Sequence, residues 1–293
     1  MELFDELKAQ IDGKNIRIVL PEGTEPRVLG AAARLQKEGI LVPVLLGQPE
    51  AIKSVALENN FDIDGIEIID VDNYPGFDEM VAAFVERRKG KVNEEEARKI
   101  LKDVNFFGTM LTYMDKVDGM VSGAVHSTAD TVRPALQIVK TRPGVPRTSG
   151  SFLMLRGETR YLFADCAINI ELDAEGLAGV AVESARMAKM FGIDPKVAML
   201  SLSTKGSAKH DLITKVQDAT RMAKELAPDM VIDGELQFDA AVSETVAKQK
   251  APGSEVAGFA NVFIFPSVDA GNIGYKIAQR LGGFEALGPI IQG

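Results

Sequence analysis

The sequence predicts an α/β fold in two domains, each built on a mainly parallel sheet. Three observations carry this. Short apolar runs alternate with helix-periodic segments of roughly 10 to 15 residues, the grammar of βαβ units. Lys140 to Ser151 holds Pro143, Gly144, Pro146 and Gly150, a density of breakers suited to a crossing between domains. The 293 residues are enough for about two domains of roughly 150 each. The expected domains are residues 1–141 and 142–293.

Taken in order, Asn15 to Leu20 reads as a buried strand closed by Pro21-Glu22-Gly23. Glu25 to Glu38 carries apolar residues at 28, 29, 32 and 35, which is helical spacing. Val42 to Leu46 is a second strand, Pro49 to Asn59 a second helix, and Ile66 to Val71 a third strand. Helices dominate from Gly76 to Tyr113, one of them opened by the capping-box pair Asn93 and Glu96. A strand ends at Val121, and an amphipathic helix begins near Asp130. Beyond the breaker-rich crossing, Arg147 to Leu155 and Tyr161 to Ala164 flank an Arg156-Gly157-Glu158 turn as an antiparallel hairpin. The βα rhythm then resumes with a helix over 173–190, a strand over 197–202, a helix over 210–226 and a strand over 230–233. A helix over 238–248, a strand over 261–265 and a helix over 269–281 close the pattern. Ligands of open α/β sheets gather at the carboxyl ends of strands, and two such domains predict a cleft.

Composition excludes several classes of function. A net charge of −9 argues against nucleic acid or an anionic membrane as partner. No apolar run approaches the ~18 residues of a membrane span, and Met1 to Leu7 lacks a signal-peptide core. The single cysteine, Cys166, excludes an intrachain disulfide and fits a reducing cytoplasm. An anionic ligand would need a local cluster of cations set against the overall field.

One stretch meets that need. Met120 to Gln137 joins a strand to a helix through a loop carrying Ser122, Gly123, Ser127 and Thr128. Amides and hydroxyls leading into a helix N-terminus suit an anion, and Arg133 adds a guanidinium fork for phosphate. Pro134 lacks an amide hydrogen and is expected in the first turn, which puts Arg133 beside the loop. A plain helix cap at Ser127 or Asp130 is the alternative reading. His126 in the same loop is a possible general base.

Other constellations are weaker. Glu86 to Lys91 is a basic run that fits a solvated helix end. Thr204-Lys205-Gly206-Ser207 follows a strand but lacks the spacing of a phosphate loop. No Gly-x-Gly-x-x-Gly or Gly-x-Ser-x-Gly is present, and His126, His210 and Cys166 give no zinc-site spacing. Cys166 reads as a buried inert thiol. Phe265 to Arg280 repeats the strand-turn-helix layout, with Lys276 and Arg280 on one helix face.

Five ordered stretches are familiar together. Ser122-Gly-Ala-Val-His-Ser-Thr-Ala-Asp-Thr-Val-Arg-Pro-Ala-Leu-Gln137 resembles the signature of phosphate acetyltransferases, or phosphotransacetylases. So do Phe163 to Asn169, Asp233 to Asp239, Pro266 to Leu281, and Arg17 to Arg27. The resemblance implies two three-layer α/β/α domains, isocitrate/isopropylmalate dehydrogenase-like, with a deep interdomain cleft and a homodimeric assembly. It implies reversible acetyl transfer, acetyl-CoA plus phosphate to acetyl phosphate plus CoA, by direct thiolate attack in a ternary complex. It further implies coenzyme A as a substrate, no tightly bound cofactor and no metal. Carried over residue by residue, Ser127, Thr128 and Arg133 bind acetyl phosphate, Arg133 also stabilising developing charge. Arg88 is expected at the same site and Arg280 nearer the coenzyme A or phosphate. Cys166 corresponds to a cysteine that labels readily but is not a nucleophile.

The family pattern continues past Gly293 into a Ser-Arg-Gly-rich motif and an aspartate that deprotonates the thiol. The catalytic base is therefore expected beyond this chain, together with apolar surface on the first domain and weak transferase activity. Two rivals stay open: phosphate butyryltransferase, and a non-catalytic acetyl-CoA-sensing or dimerising module.

Overall fold

A computed structural model describes residues 3–293. The chain divides into two compact units, residues 1–140 and 141–293.

The first unit opens with α1 (Leu3–Ile11), a helix absent from the sequence expectation. Then follow β1 (Arg17–Leu20), α2 (Pro26–Lys37), β2 (Val42–Leu46), α3 (Pro49–Glu58), β3 (Glu67–Ile69), α4 (Phe77–Arg88), α5 (Glu94–Ile100), α6 (Val104–Tyr113), β4 (Gly119–Met120) and α7 (Thr128–Ile138). Proline at the first helical position starts both α2 and α3, where its missing amide costs nothing. Asn93 and Glu96 close the expected capping box on α5. All pairings are parallel, in the order β3-β2-β1-β4.

Alternation along the strands builds three layers. Val19, Val44 and Leu46 join a core with Phe84, Phe107 and Met110 from α4 and α6. Leu20 and Leu45 face the other way, against Leu29 and Ala32 of α2 and Ile52 of α3.

The second unit contains β5 (Ser149–Arg156), β6 (Thr159–Ala164), α8 (Ala174–Met190), β7 (Lys196–Leu200), α9 (Asp211–Leu226), β8 (Val231–Leu236), α10 (Phe238–Val242), α11 (Glu244–Lys250), β9 (Val262–Ile264), α12 (Val268–Arg280) and β10 (Glu285–Gln292). The sheet runs β10-β5-β6-β9-β7-β8. The expected β5–β6 hairpin is antiparallel, and the pairs β6–β9, β9–β7 and β7–β8 are parallel. One face packs Phe152, Phe163 and Phe263 over the small residues Ala241, Ala247 and Ala251 of the α10–α11 segment.

Four further details depart from the sequence reading. Pro134 lies in the interior of α7, not in its first turn, because Ser127 caps the helix and α7 starts earlier than Asp130. The helix expected over 238–248 is two, broken at extended Ser243, whose Oγ accepts from the Val246 amide and so competes with helix continuation. β8 runs on to Leu236, since the buried Glu235 carboxylate finds partners in Ser203 Oγ and the Gly206 amide. The chain also adds β10, antiparallel to β5, with a bulge where Gly288-Pro289 interrupts the ladder.

Candidate active site

In the first unit the chain steps outward from β1 through β2 to β3, then returns to place β4 on the other side of β1. The loops after β1 and β4 therefore diverge at a topological switch point, where ligands of such sheets bind. Glu22 comes from the first loop and Val121 to Ser127 from the second.

Glu22 organises this place. Its Oε2 accepts from the amides of Gly123 at 3.0 Å and Ala124 at 2.8 Å. Its Oε1 accepts from the amides of Val125 at 2.9 Å and His126 at 3.1 Å, and from His126 Nδ1 at 2.7 Å. The side chain is only 2% exposed. Burial alone would raise its pKa, but the hydrogen bonds from Val125, Ala124 and His126 outweigh it and lower the carboxyl to about 2. Gly123, at φ +102, takes a backbone conformation that a side chain would strain, and so aims its amide at the carboxylate. Arg27 braces the same loop from α2, its Nη2 donating to Ala124 O at 3.0 Å.

This corrects one expectation. The amides at 123–126 are a nest for an anion, but the anion is the protein's own Glu22. A bound phosphate must therefore be held by side chains and by the start of α7. An acid directly after a buried strand, Leu20-Pro-Glu22, was the available sequence signal.

Of the residues singled out from the sequence, Ser127 is the N-cap of α7. Its Oγ accepts from the Asp130 amide at 3.2 Å and donates to Asp130 Oδ2 at 2.6 Å. Thr128 is the exposed first residue of α7, its hydroxyl without a hydrogen bond among the described residues. Arg133 lies on the same helix with its side chain 55% exposed, 3.6 Å from Asp130 Oδ1.

Arg88, the last residue of α4, reaches α7 one turn beyond Arg133, its Nη1 donating to Gln137 O at 3.4 Å. Its Nε is buried with no partner. Arg87 Nη2 donates to Val139 O at 2.8 Å. Lys89, Lys91 and Lys140 complete a cationic cluster in which no member forms an ion pair among the described residues. The Lys140 ammonium is held below its usual pKa by Arg87 first, then by burial, Lys89, Arg88 and Lys91. The basic run expected to be an ordinary solvated end thus gathers against the end of α7.

Arg280 belongs to the second unit, as the exposed last residue of α12. Lys276 on the same face is committed to Asn272 Oδ1 at 2.8 Å. Near the start of α12, a Cβ on Gly271 would lie 2.2 Å from Asp165 O, so only glycine allows this approach. Asp165 repeats the device of Glu22, accepting from the amides of Gly150, Ala167, Ile168 and Asn169.

Cys166 beside it is fully buried. Burial, then the Asp165 carboxylate, pushes its thiol well above the ordinary range, so it supplies no thiolate. The ready labelling implied by resemblance does not fit this burial.

A groove of about 890 Å³ runs along β8 in the second unit, lined by Lys205, Lys224, Lys250, Asp233 and Ser254. Lys205 and Lys224 share Asp233, and Lys250 is bound to Asp239, so each of its lysines is already engaged by a carboxylate. Among the described residues no group of three or more His, Cys, Asp or Glu could hold a metal ion. No helix there is long and apolar enough to cross a membrane.

The switch-point loop, the half-exposed arginine and the unpaired cations define an α/β protein suited to binding and positioning a small phosphorylated anion. The sequence profile of the phosphate acetyl/butaryl transferase family matches residues 2–293, and the chain belongs to that family. It is 59% identical over 297 residues to the phosphate acetyltransferase of Staphylococcus epidermidis, covering 100% of this chain and 90% of that relative. A crystallised phosphotransacetylase from Streptococcus pyogenes superposes with a TM-score of 0.95 at 57% identity, over 99% of this chain and 89% of that one. A protein described as a putative 4-hydroxythreonine-4-phosphate dehydrogenase from Salmonella typhimurium shares the fold alone. Its TM-score is 0.52 at 15% identity, over 94% of this chain and 89% of that one.

Proposed function

We infer that this chain transfers acetyl reversibly between coenzyme A and orthophosphate, a phosphate acetyltransferase activity. Family membership and 59% identity to a phosphate acetyltransferase support the reading. The single structural observation that carries it is Arg133, half exposed on the first helix after the switch-point loop and only loosely paired with Asp130.

In this reading the acetyl phosphate dianion lies against Thr128 and Arg133, with Ser127 at the start of α7. The guanidinium fork matches two phosphate oxygens and spreads the charge that grows on them as the acyl–oxygen bond breaks. Arg88 adds a second fork, its unpartnered Nε offering a donor. Arg280 is assigned to binding the coenzyme A or phosphate. Direct attack of the thiolate on the acetyl carbon in a ternary complex needs positioning and charge stabilisation from these groups, and coenzyme A enters as substrate. The assembly we propose is a homodimer in the cytoplasm.

The test is Arg133→Ala, assayed as acetyl-CoA formation from acetyl phosphate and CoA. The Michaelis constant for acetyl phosphate should rise at least tenfold while that for CoA moves little. An unchanged value removes Arg133 from the site, and no acetyl transfer by the unsubstituted chain overturns the function.

A further inference from the structure

The end of helix α7 is held by two consecutive arginines from α4. Arg87 Nε donates to Ile138 O and its Nη2 to Val139 O at 2.8 Å, while Arg88 Nη1 donates to Gln137 O at 3.4 Å. The last three carbonyls before Lys140 are thus taken by guanidinium groups. A further contact keeps Arg87 in place, since its Cζ lies 5.1 Å from the centre of the Tyr113 ring. Lys140 leaves the helix at φ +67, its amide donating to Ala135 O at 3.0 Å. Its backbone is therefore pinned beside a fixed positive charge, and its side chain is exposed.

Nothing offsets that charge. The carbonyls at a helix end ordinarily favour a cation, but here they are already given to Arg87 and Arg88. The charged groups that act most on the ammonium are Arg87, Lys89, Arg88 and Lys91, from α4 and the turn after it, and all are cations. The last turn of α7 brings Leu136, Gln137, Ile138 and Val139, none of them charged. Among the described residues Lys140 Nζ has neither an ion pair nor a hydrogen bond. Repulsion from Arg87 first, and then burial, leaves more of the amine neutral than in an ordinary lysine. A lysine beside another cation is a recognised form of activated nucleophile. The same cluster attracts anions, and acetyl phosphate is an acylating anion.

We propose that Lys140 is a modification site, acetylated on Nζ by acetyl phosphate that the cationic cluster draws in. The proposal rests on the acetyl-transfer reading only for the presence of acetyl phosphate. The neutral Nζ attacks the acetyl carbon, and a carbon–nitrogen bond forms. The carbon–oxygen bond to phosphate breaks, its electron pair leaves on the phosphate oxygen, and a proton passes from the nitrogen to that oxygen. The products are an acetylated lysine and hydrogen phosphate, and no further reactant is needed. Acetylation removes one charge from the cluster, so acetyl phosphate that accumulates weakens the field that attracts it.

The experiment incubates the full chain with acetyl phosphate alone and follows each lysine by peptide mass spectrometry over time and pH. Near neutral pH, Lys140 should be acetylated at least about fivefold faster than Lys53 and Lys99, which are paired with Glu50 and Glu95. Its rate should also level off at a lower pH than theirs, because its neutral form appears earlier as pH rises. Arg87→Gln should slow acetylation of Lys140 at least about threefold and leave Lys53 unchanged. Since Arg87 also braces α7, Lys89→Gln serves as a second variant that touches no backbone carbonyl, and it should slow Lys140 in the same direction. A Lys140 that reacts no faster than Lys53 and Lys99, or whose rate ignores both substitutions, overturns the proposal while the acetyl-transfer reading stands. No acetyl transfer to CoA by the unsubstituted chain, with Lys140 still acetylated first, overturns that reading and upholds the site.

Discussion

At the scale of single residues, Glu22 shows how one buried charge can order a loop. An unpaired carboxylate at 2% exposure would be prohibitively costly, yet four amides and an imidazole surround this one. A carboxyl lowered from an ordinary 4.5 to about 2 contributes about 3 kcal/mol of stability at neutral pH. Its folded pKa is depressed, so this contribution is fully present above pH 4.5 and fades as pH falls toward 2. Glu22→Gln should therefore lower the unfolding free energy in urea by about 2–3 kcal/mol at pH 7. The difference from the unsubstituted chain should shrink in acid; a gap that stays constant down to pH 3 would contradict the linkage.

At the scale of elements, close approach decides what the sequence pattern leaves open. The start of α12 comes so near the end of β6 that Gly271 has no room for a methyl group, and Asn272 Nδ2 bonds Cys166 O at 3.0 Å. The obstacle is backbone oxygen, which cannot rotate aside. Gly271→Ala should cost at least about 1–3 kcal/mol, seen as a lower urea midpoint, although alanine favours helix. A neutral or stabilising outcome would mean that α12 can shift freely. Helix α7 illustrates the opposite case. Pro134 removes one helical donor in its interior, yet the helix persists because Val132, Pro134 and Ile138 are buried.

At the scale of the whole molecule, a net charge of −9 surrounds a cluster of unpaired cations formed by Arg87, Arg88, Lys89, Lys91 and Lys140. Such a local positive field draws anionic substrates toward a surface that otherwise repels them, and salt weakens it over about 10 Å at 0.1 M. The Michaelis constant for acetyl phosphate should therefore rise severalfold between low and physiological ionic strength. The double variant Lys89→Glu with Lys140→Glu should raise it at low salt, flatten the salt dependence and leave kcat close to normal. Equal salt dependence in both proteins would show that the cluster does not steer substrate.

Much of this was legible in residues alone. Apolar runs of period two and segments of period 3.6 report burial directly, so the parallel strands β1, β2 and β7 and the hairpin β5–β6 could be placed before any coordinates. The capping box of α5 and the loop around Ser127 and Arg133 were equally plain, because caps and turns are local chemistry. Three things were not local. Strand β10 is held by its pairing with β5, far away in sequence, and its Gly288-Pro289 break hides the alternation. The basic run at 86–91 becomes a cluster only because α4 ends against α7 and Lys140. The loop's amides looked free until Glu22, about a hundred residues earlier, closed on them. Sequence by itself determined which residues could bind an anion; tertiary structure decided which were already occupied, since a buried hydrogen-bond donor takes whatever acceptor folding brings within reach.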